Sequence, residues 1–178
     1  MSLSRINNLV TTFFIFTGCG VGSVPSFEGT GSSTQGDQGG AGLVLELPLR
    51  AGIEKMCTQG VNGTYSHSTD STRYDIDLDT NNDSDEEIFA PASGTARIHM
   101  ESASSGFGYH VNIDQGDGTY VVIAHLDDIF IQDGDEVAAG SLLGYEGCTG
   151  YCNGDHVHIG LHQGDTGETA DNGTSIPA

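Results

Sequence analysis

Apolar residues along this chain come in short runs and never settle into helical spacing. From residue 43 onward, β-branched and aromatic stretches alternate with clusters of Gly, Asp and Asn. That pattern predicts strands and turns. Gly108 to Ile113 reads as one strand, Gln115-Gly116-Asp117-Gly118 as a hairpin turn, and Thr119 to Leu126 as the returning strand. The Asp-Gly pair accepts the positive φ such turns require. Phe130-Ile131, the turn Asp133-Gly134-Asp135 and Val137 predict another short pair, with Leu142 to Tyr145 and Val157 to Leu161 supplying two more strands. The expected fold is all-β, a small open antiparallel β-sandwich or barrel-like domain.

The N-terminal residues follow a different pattern. Residues 1–18 hold a single base, Arg5, no acid, and an apolar run from Leu9 to Phe16, followed by Thr17-Gly18-Cys19. This is the layout of an export signal, and its ending resembles the lipobox of bacterial lipoproteins, in which the Cys is lipidated. Residues 19–42 are rich in Gly, Ser, Gln and Thr and poor in apolar side chains, which predicts a flexible tether. The folded domain is expected over 43–178, ending in a short C-terminal tail. The expected location is the bacterial cell envelope, lipid-anchored at the outer membrane or in the periplasm, or secreted.

Charge narrows the partners. Five basic residues stand against 25 acidic ones, for a formal net charge of −20. Nucleic acid is excluded as a partner, because Lys and Arg must replace counterions on phosphate. Attachment to anionic lipid is disfavoured as well, which leaves a lipid on Cys19 as the membrane contact. Hydrophobic residues make up 36% of the chain and aromatic ones 7%, so the core is expected to be lean.

The histidines carry the candidate chemistry. In His156-Val157-His158 the side chains alternate, so the two imidazoles share one strand face and Val157, Ile159 and Leu161 share the other. The apolar set is the core face. The two imidazoles then project together at a spacing suited to one metal and its water. By the same alternation His125 falls on the face of Thr119, Val121 and Ile123. Upstream lie His67 and, ten positions later, Asp77 within Tyr74-Asp75-Ile76-Asp77-Leu78. Neutral imidazole and carboxylate are good zinc ligands, and catalytic zinc commonly takes three from the protein.

In this order the residues resemble the lysostaphin-type (LytM-like) zinc peptidases, which cut peptidoglycan crosslinks. The resemblance runs from about Leu47 to His162. It rests on Ser66-His67, Tyr74 to Leu78, Phe89-Ala90-Pro91-Ala92-Ser93-Gly94-Thr95, Gly116 to Leu126, Gly134-Asp135-Glu136-Val137, Thr149-Gly150-Tyr151 and His156-Val157-His158. The resemblance implies one zinc ion held by His67, Asp77 and His158. It implies that His156 takes a proton from water and that His125 donates to the oxyanion. It also implies a groove across the sandwich and a monomer acting on peptidoglycan peptide. The function it implies is that of a zinc metalloendopeptidase; the alternative is a non-catalytic envelope lipoprotein that binds wall or an amidase partner through the same groove. Asp75 competes with Asp77 as a ligand on spacing, and the family pattern favours Asp77.

Two features stand apart from the family pattern. The acidic stretch Asp79–Asp85 is longer than the usual link, and its alternating oxygens suggest Ca2+ binding, but it lacks the glycine of a calcium loop. A solvated loop is the better reading. Cys148 and Cys152 flank a tight turn and are expected to form a disulfide in an exported domain, leaving Cys57 free or paired differently. A structural zinc finger built from Cys148, Cys152, His156 and His158 is too compressed in spacing. His99, His110 and His162 match no family role and are expected at the surface or as structural residues, with His162 at the groove edge.

Overall fold

A computed structural model describes residues 43–52, 54–79, 86–101, 104–164 and 173–178. The export segment, the tether and the acidic stretch after Asp79 lie outside the described residues. Within them the chain forms strands and no helix: β1 (Met56–Gln59), β2 (Ile76–Asp79), β3 (Glu87–Phe89), β4 (Gly94–Met100), β5 (Tyr109–Asp114), β6 (Thr119–Leu126), β7 (Asp128–Ile129), β8 (Glu136–Val137), β9 (Leu142–Tyr145), β10 (Val157–Gln163) and β11 (Thr174–Ile176). The all-β expectation holds.

The large sheet runs β1-β2-β10-β6-β5-β4-β8, with β11 also paired to β10; β3-β9-β7 form a small sheet. Every pairing is antiparallel. The hairpin between β5 and β6 turns where the sequence places it. Asp114 Oδ1 accepts from Gly116 N, and Asp117 Oδ1 accepts from both Thr119 N and Thr119 Oγ1. These bonds are local to the turn and need no distant partner. The C-terminal residues depart from expectation: Thr174–Ile176 is no tail but a strand laid on β10.

One face of the large sheet packs against the small one. Val111, Ile113, Val121, Ile123, Val157 and Ile159 from the large sheet join Ile88 and Leu143 from the small sheet in a single buried cluster. Strand alternation explains the selection: these are the odd positions of β5, β6 and β10. The even positions of β10 are His158, Gly160 and His162, and they face the other way. A second, smaller cluster of Phe107, Tyr120, Val122 and Ala124 lies on that side.

Glu146, just after β9, is fully buried, and neither carboxylate oxygen has a hydrogen-bond partner among the described residues. Burial pushes its pKa up to about 8, Lys55 offsets part of that, and Asp79, Asp155 and Glu86 add to it. The folded pKa lies above the unfolded value, so the native state holds the extra proton between about pH 4.5 and 8. Stability therefore falls as pH rises through that window. Glu146→Gln should remove this dependence. Thermal melts at several pH values are expected to show the variant gaining on the parent protein from pH 5 to pH 8; parallel curves would contradict the assignment.

Candidate active site

Neighbouring strands bring the first two groups together. His158 on β10 lies directly opposite Asp77 on β2 in the sheet register. His158 Nδ1 is 2.9 Å from Asp77 Oδ1. His67, from the segment between β1 and β2, comes over the sheet with Nε2 at 3.3 Å from both His158 Nδ1 and Asp77 Oδ1. The three ligand atoms lie within 4.8 Å of one another, and all three residues are buried. His67 Nδ1 lies 3.4 Å from the Gly60 carbonyl, a contact that leaves Nε2 as the lone pair facing the centre. An imidazole, a carboxylate and a second imidazole converging this closely fit a tetrahedral divalent ion, with room in its shell for water.

Gln59 holds the carboxylate in place. It sits opposite Asp77 on β1, donates to Asp77 Oδ2 at 2.9 Å and to Ser66 Oγ at 2.7 Å, and accepts from Ser66 N. It ties the ligand on the strand to the loop that carries His67. A glutamine alone gives no sequence signal for such a role; only the strand pairing reveals it.

His125 reaches the site by a backbone conformation that alternation misses. Simple alternation places it on the core face with Val121 and Ile123. Instead its φ is +66°, the left-handed region, which costs a non-glycine residue about 1–3 kcal/mol. The turn swings the ring onto the histidine side, where it lies 4.7 Å from the His156 ring. His125 Nδ1–H donates to the Thr149 carbonyl at 2.7 Å. Gly108 and Gly150 make that partner available, because a Cβ on either would collide with the other loop's backbone. Burial, with the neighbouring His158 and His156, pushes the His125 pKa down to about 3, so the ring is neutral with a bare Nε2. His156 Nδ1–H donates to the Gly154 carbonyl at 2.8 Å, and its Nε2 lies 3.8 Å from Asp77 Oδ1.

The histidines without an expected role belong to the same assembly. Phe107 touches His110, His125, His158 and His162, while His110 stacks on His99 and His158 meets His67 edge-on. All seven histidines are thus joined by ring contacts on one side of the sheet. His110 and His162 are fully buried, so neither is a surface residue and His162 does not edge the groove. The competition between Asp75 and Asp77 is also resolved. Asp75 Oδ2 lies 3.0 Å from His158 Nε2, on the side of the ring away from Asp77.

His158 is held between the two carboxylates. Burial alone would lower its pKa, but the hydrogen bonds to Asp75 and Asp77 outweigh burial and push it up to about 9. Both carboxylates are held well below their ordinary range: burial raises them, and the bonds from the histidines override it.

The cysteine expectation is met in the turn that presents His156. Cys148 and Cys152 form a disulfide, with Cα atoms 5.3 Å apart, which removes the zinc-finger alternative. Cys57 is not free either. The loop from Gly147 to Gly154 carries both the amide contact of His156 to Gly147 O and the carbonyl that fixes its ring. On the rim, exposed Tyr65 and Tyr151 stack with ring centroids 6.1 Å apart and hydroxyls at 3.1 Å.

Residues 72–172 match the family model described as Peptidase family M23. His67 precedes that stretch, so it is the fold that brings it to Asp77 and His158. Among solved structures, the chain is similar to the catalytic domain of the prophage-encoded M23 protein EnpA from Enterococcus faecalis. Identity there is 25% and the TM-score 0.57, over 74% of this chain and 94% of that one. A peptidase M23 structure from Pseudomonas aeruginosa is 22% identical with a TM-score of 0.56, over 77% of this chain and 49% of that one. Csd3 from Helicobacter pylori is 19% identical with a TM-score of 0.53, over 76% and 32%. These last two bear on the fold alone. No curated protein matches the chain.

A disulfide closing so short a loop restrains little unfolded-chain entropy, so it contributes less than the roughly 3 kcal/mol of a 15-residue loop. Cys148→Ser with Cys152→Ser should therefore shift the melting temperature only slightly and reduce turnover much more, by loosening His156. Thermal unfolding and peptide turnover on the double variant check this. A large loss of stability with unchanged turnover would contradict it.

Proposed function

The chain belongs to peptidase family M23, and from that membership we propose that it is a zinc endopeptidase hydrolysing peptide crosslinks of bacterial peptidoglycan. The observation that carries the reading is the convergence of His67 Nε2, Asp77 Oδ1 and His158 Nδ1 beside two further imidazoles. His67, Asp77 and His158 would hold the ion. When bound, zinc supplies a Lewis acid for the scissile carbonyl and lowers the pKa of water toward about 7.

The protein's own groups supply the rest. His156 is the proton carrier, because Nδ1–H is fixed on the Gly154 carbonyl and Nε2 faces the centre, 3.8 Å from Asp77 Oδ1. It accepts a proton from water and returns it to the leaving amine. His125 has its one proton committed to Thr149, so it is not ready to donate to an oxyanion as the family resemblance implies. Its bare Nε2 accepts instead, orienting the attacking water. Gln59 bonds both Ser66, the neighbour of His67, and Asp77, which holds the two ligands in register across the segment between them. For location, the proposal is the cell envelope, reached by the export segment 1–18; this rests on sequence alone.

Metal uptake must displace the Nδ1 proton of His158, whose pKa is pushed up to about 9. Zinc titration near pH 7 is accordingly expected to release a proton, with apparent affinity rising toward pH 9; pH-independent affinity would count against His158 as a ligand.

The test of the function combines zinc content with digestion of purified sacculi on single variants. His158→Ala and Asp77→Ala should lose both metal and cleavage. His125→Ala and His156→Ala should keep the metal and lose about 10²–10³ in rate, the loss typical of one positioned catalytic group. Sacculi left intact by metal-loaded protein would refute the reading.

A further inference from the structure

His158 can present either ring nitrogen, and only one of them faces His67 and Asp77. What selects it lies on the opposite side of the ring. His158 Nε2 is 3.0 Å from Asp75 Oδ2, and Asp75 is fully buried. A carboxylate has no proton to give, so the hydrogen between them sits on Nε2. The proton that leaves His158 when a metal is taken up is then the one on Nδ1, where the other two ligand atoms converge.

Asp75 is itself held by more than this one bond. His162 Nε2 donates to both its oxygens, at 3.2 Å and 3.1 Å, and Ser175 Oγ donates to Oδ1 at 2.6 Å. Ser175 is anchored in turn. Its hydroxyl accepts from Tyr74 N at 3.0 Å, and its own amide donates to Asp70 O. The strand β11 thus ties the C-terminus to the carboxylate behind the site. Gly160, between His158 and His162 on the same face, leaves the space: a Cβ there would overlap Asp75 Oδ1.

We propose that Asp75 is a positioning residue that sets His158 to coordinate through Nδ1, and that His162 and Ser175 fix Asp75 for that task. The inference rests on the zinc reading above. Carboxylates behind a metal-bound histidine generally set its tautomer and ring orientation, and losing one costs about 10–100-fold in metal affinity.

The experiment measures zinc dissociation constants by chelator competition, and the ring-nitrogen protonation of His158 by long-range 1H–15N NMR, on the full chain. Asp75→Ala should weaken zinc binding about 10–100-fold and let the His158 proton distribute over both nitrogens. Asp75→Asn keeps an accepting oxygen and should lose less, with the tautomer retained. His162→Gln and Ser175→Ala should each show a smaller loss. A purely structural role for Asp75 would lower stability without moving the tautomer. Parental affinity in Asp75→Ala with the proton still on Nε2 overturns the proposal. Should Asp75→Ala fail to fold, parental affinity in both Asp75→Asn and Ser175→Ala overturns it equally. A parent protein that takes up no zinc overturns the metal reading, and this inference with it.

Discussion

Two carboxylates, Asp75 and Asp77, are buried at the start of β2 beside β10, and among the described residues their ion-pair partners are all histidines. An ionised carboxylate removed from water without partners costs several kcal/mol. Here the cost is offset by imidazoles: His158 between the two acids, His67 on one side and His162 on the other. The arrangement depends on register. His158 stands opposite Asp77 because β2 and β10 pair as they do. A slip of one residue would send both side chains into the apolar core. The site and the pairing of these two strands are therefore a single constraint.

That constraint explains why the large sheet has two unlike faces. One face carries Val, Ile and Leu from β5, β6 and β10 and closes against the small sheet. The other carries histidines joined through Phe107. Phe107 helps exclude water from this face, and lower local dielectric strengthens the hydrogen bonds within it. His110 shows the effect on a group away from the ligands: burial is the main cause pushing its pKa down to about 4. The exception to strand alternation is His125, whose left-handed backbone moves a catalytic candidate from the core face to the histidine face. Strain of this kind persists where surrounding contacts determine it, here the Thr149 carbonyl and the contact of its amide with Phe107 O.

Much of this was legible in the order of residues. The all-β class followed from short apolar runs broken by Gly and Asp, and the β5–β6 hairpin from its own turn chemistry. The core face of β10 followed from period-two alternation, because that pattern is local and holds wherever one sheet face is buried. The Cys148–Cys152 link was legible too, since a turn that short leaves little choice of partner. His67, Asp77 and His158 were suggested by family resemblance, but the matching stretch begins after His67.

Only the tertiary structure decided which atoms face one another. The residue numbers of His67 and His158 are 91 apart, and those of Asp75 and Ser175 are 100 apart, so their contacts depend on how strands are ordered across the sheet. The sequence could place Asp75 and Asp77 on one strand face but could not say which stands before the His158 ring and which behind it. It read His125 on the wrong face, because a single residue with positive φ breaks alternation without a compositional mark. It treated His162 as a groove edge and residues 174–176 as a tail, because burial by a later strand is invisible to local pattern. Side-chain type and strand period are properties of neighbouring residues and can be read along the chain; tautomer, burial and ligand geometry are set by residues far away in sequence.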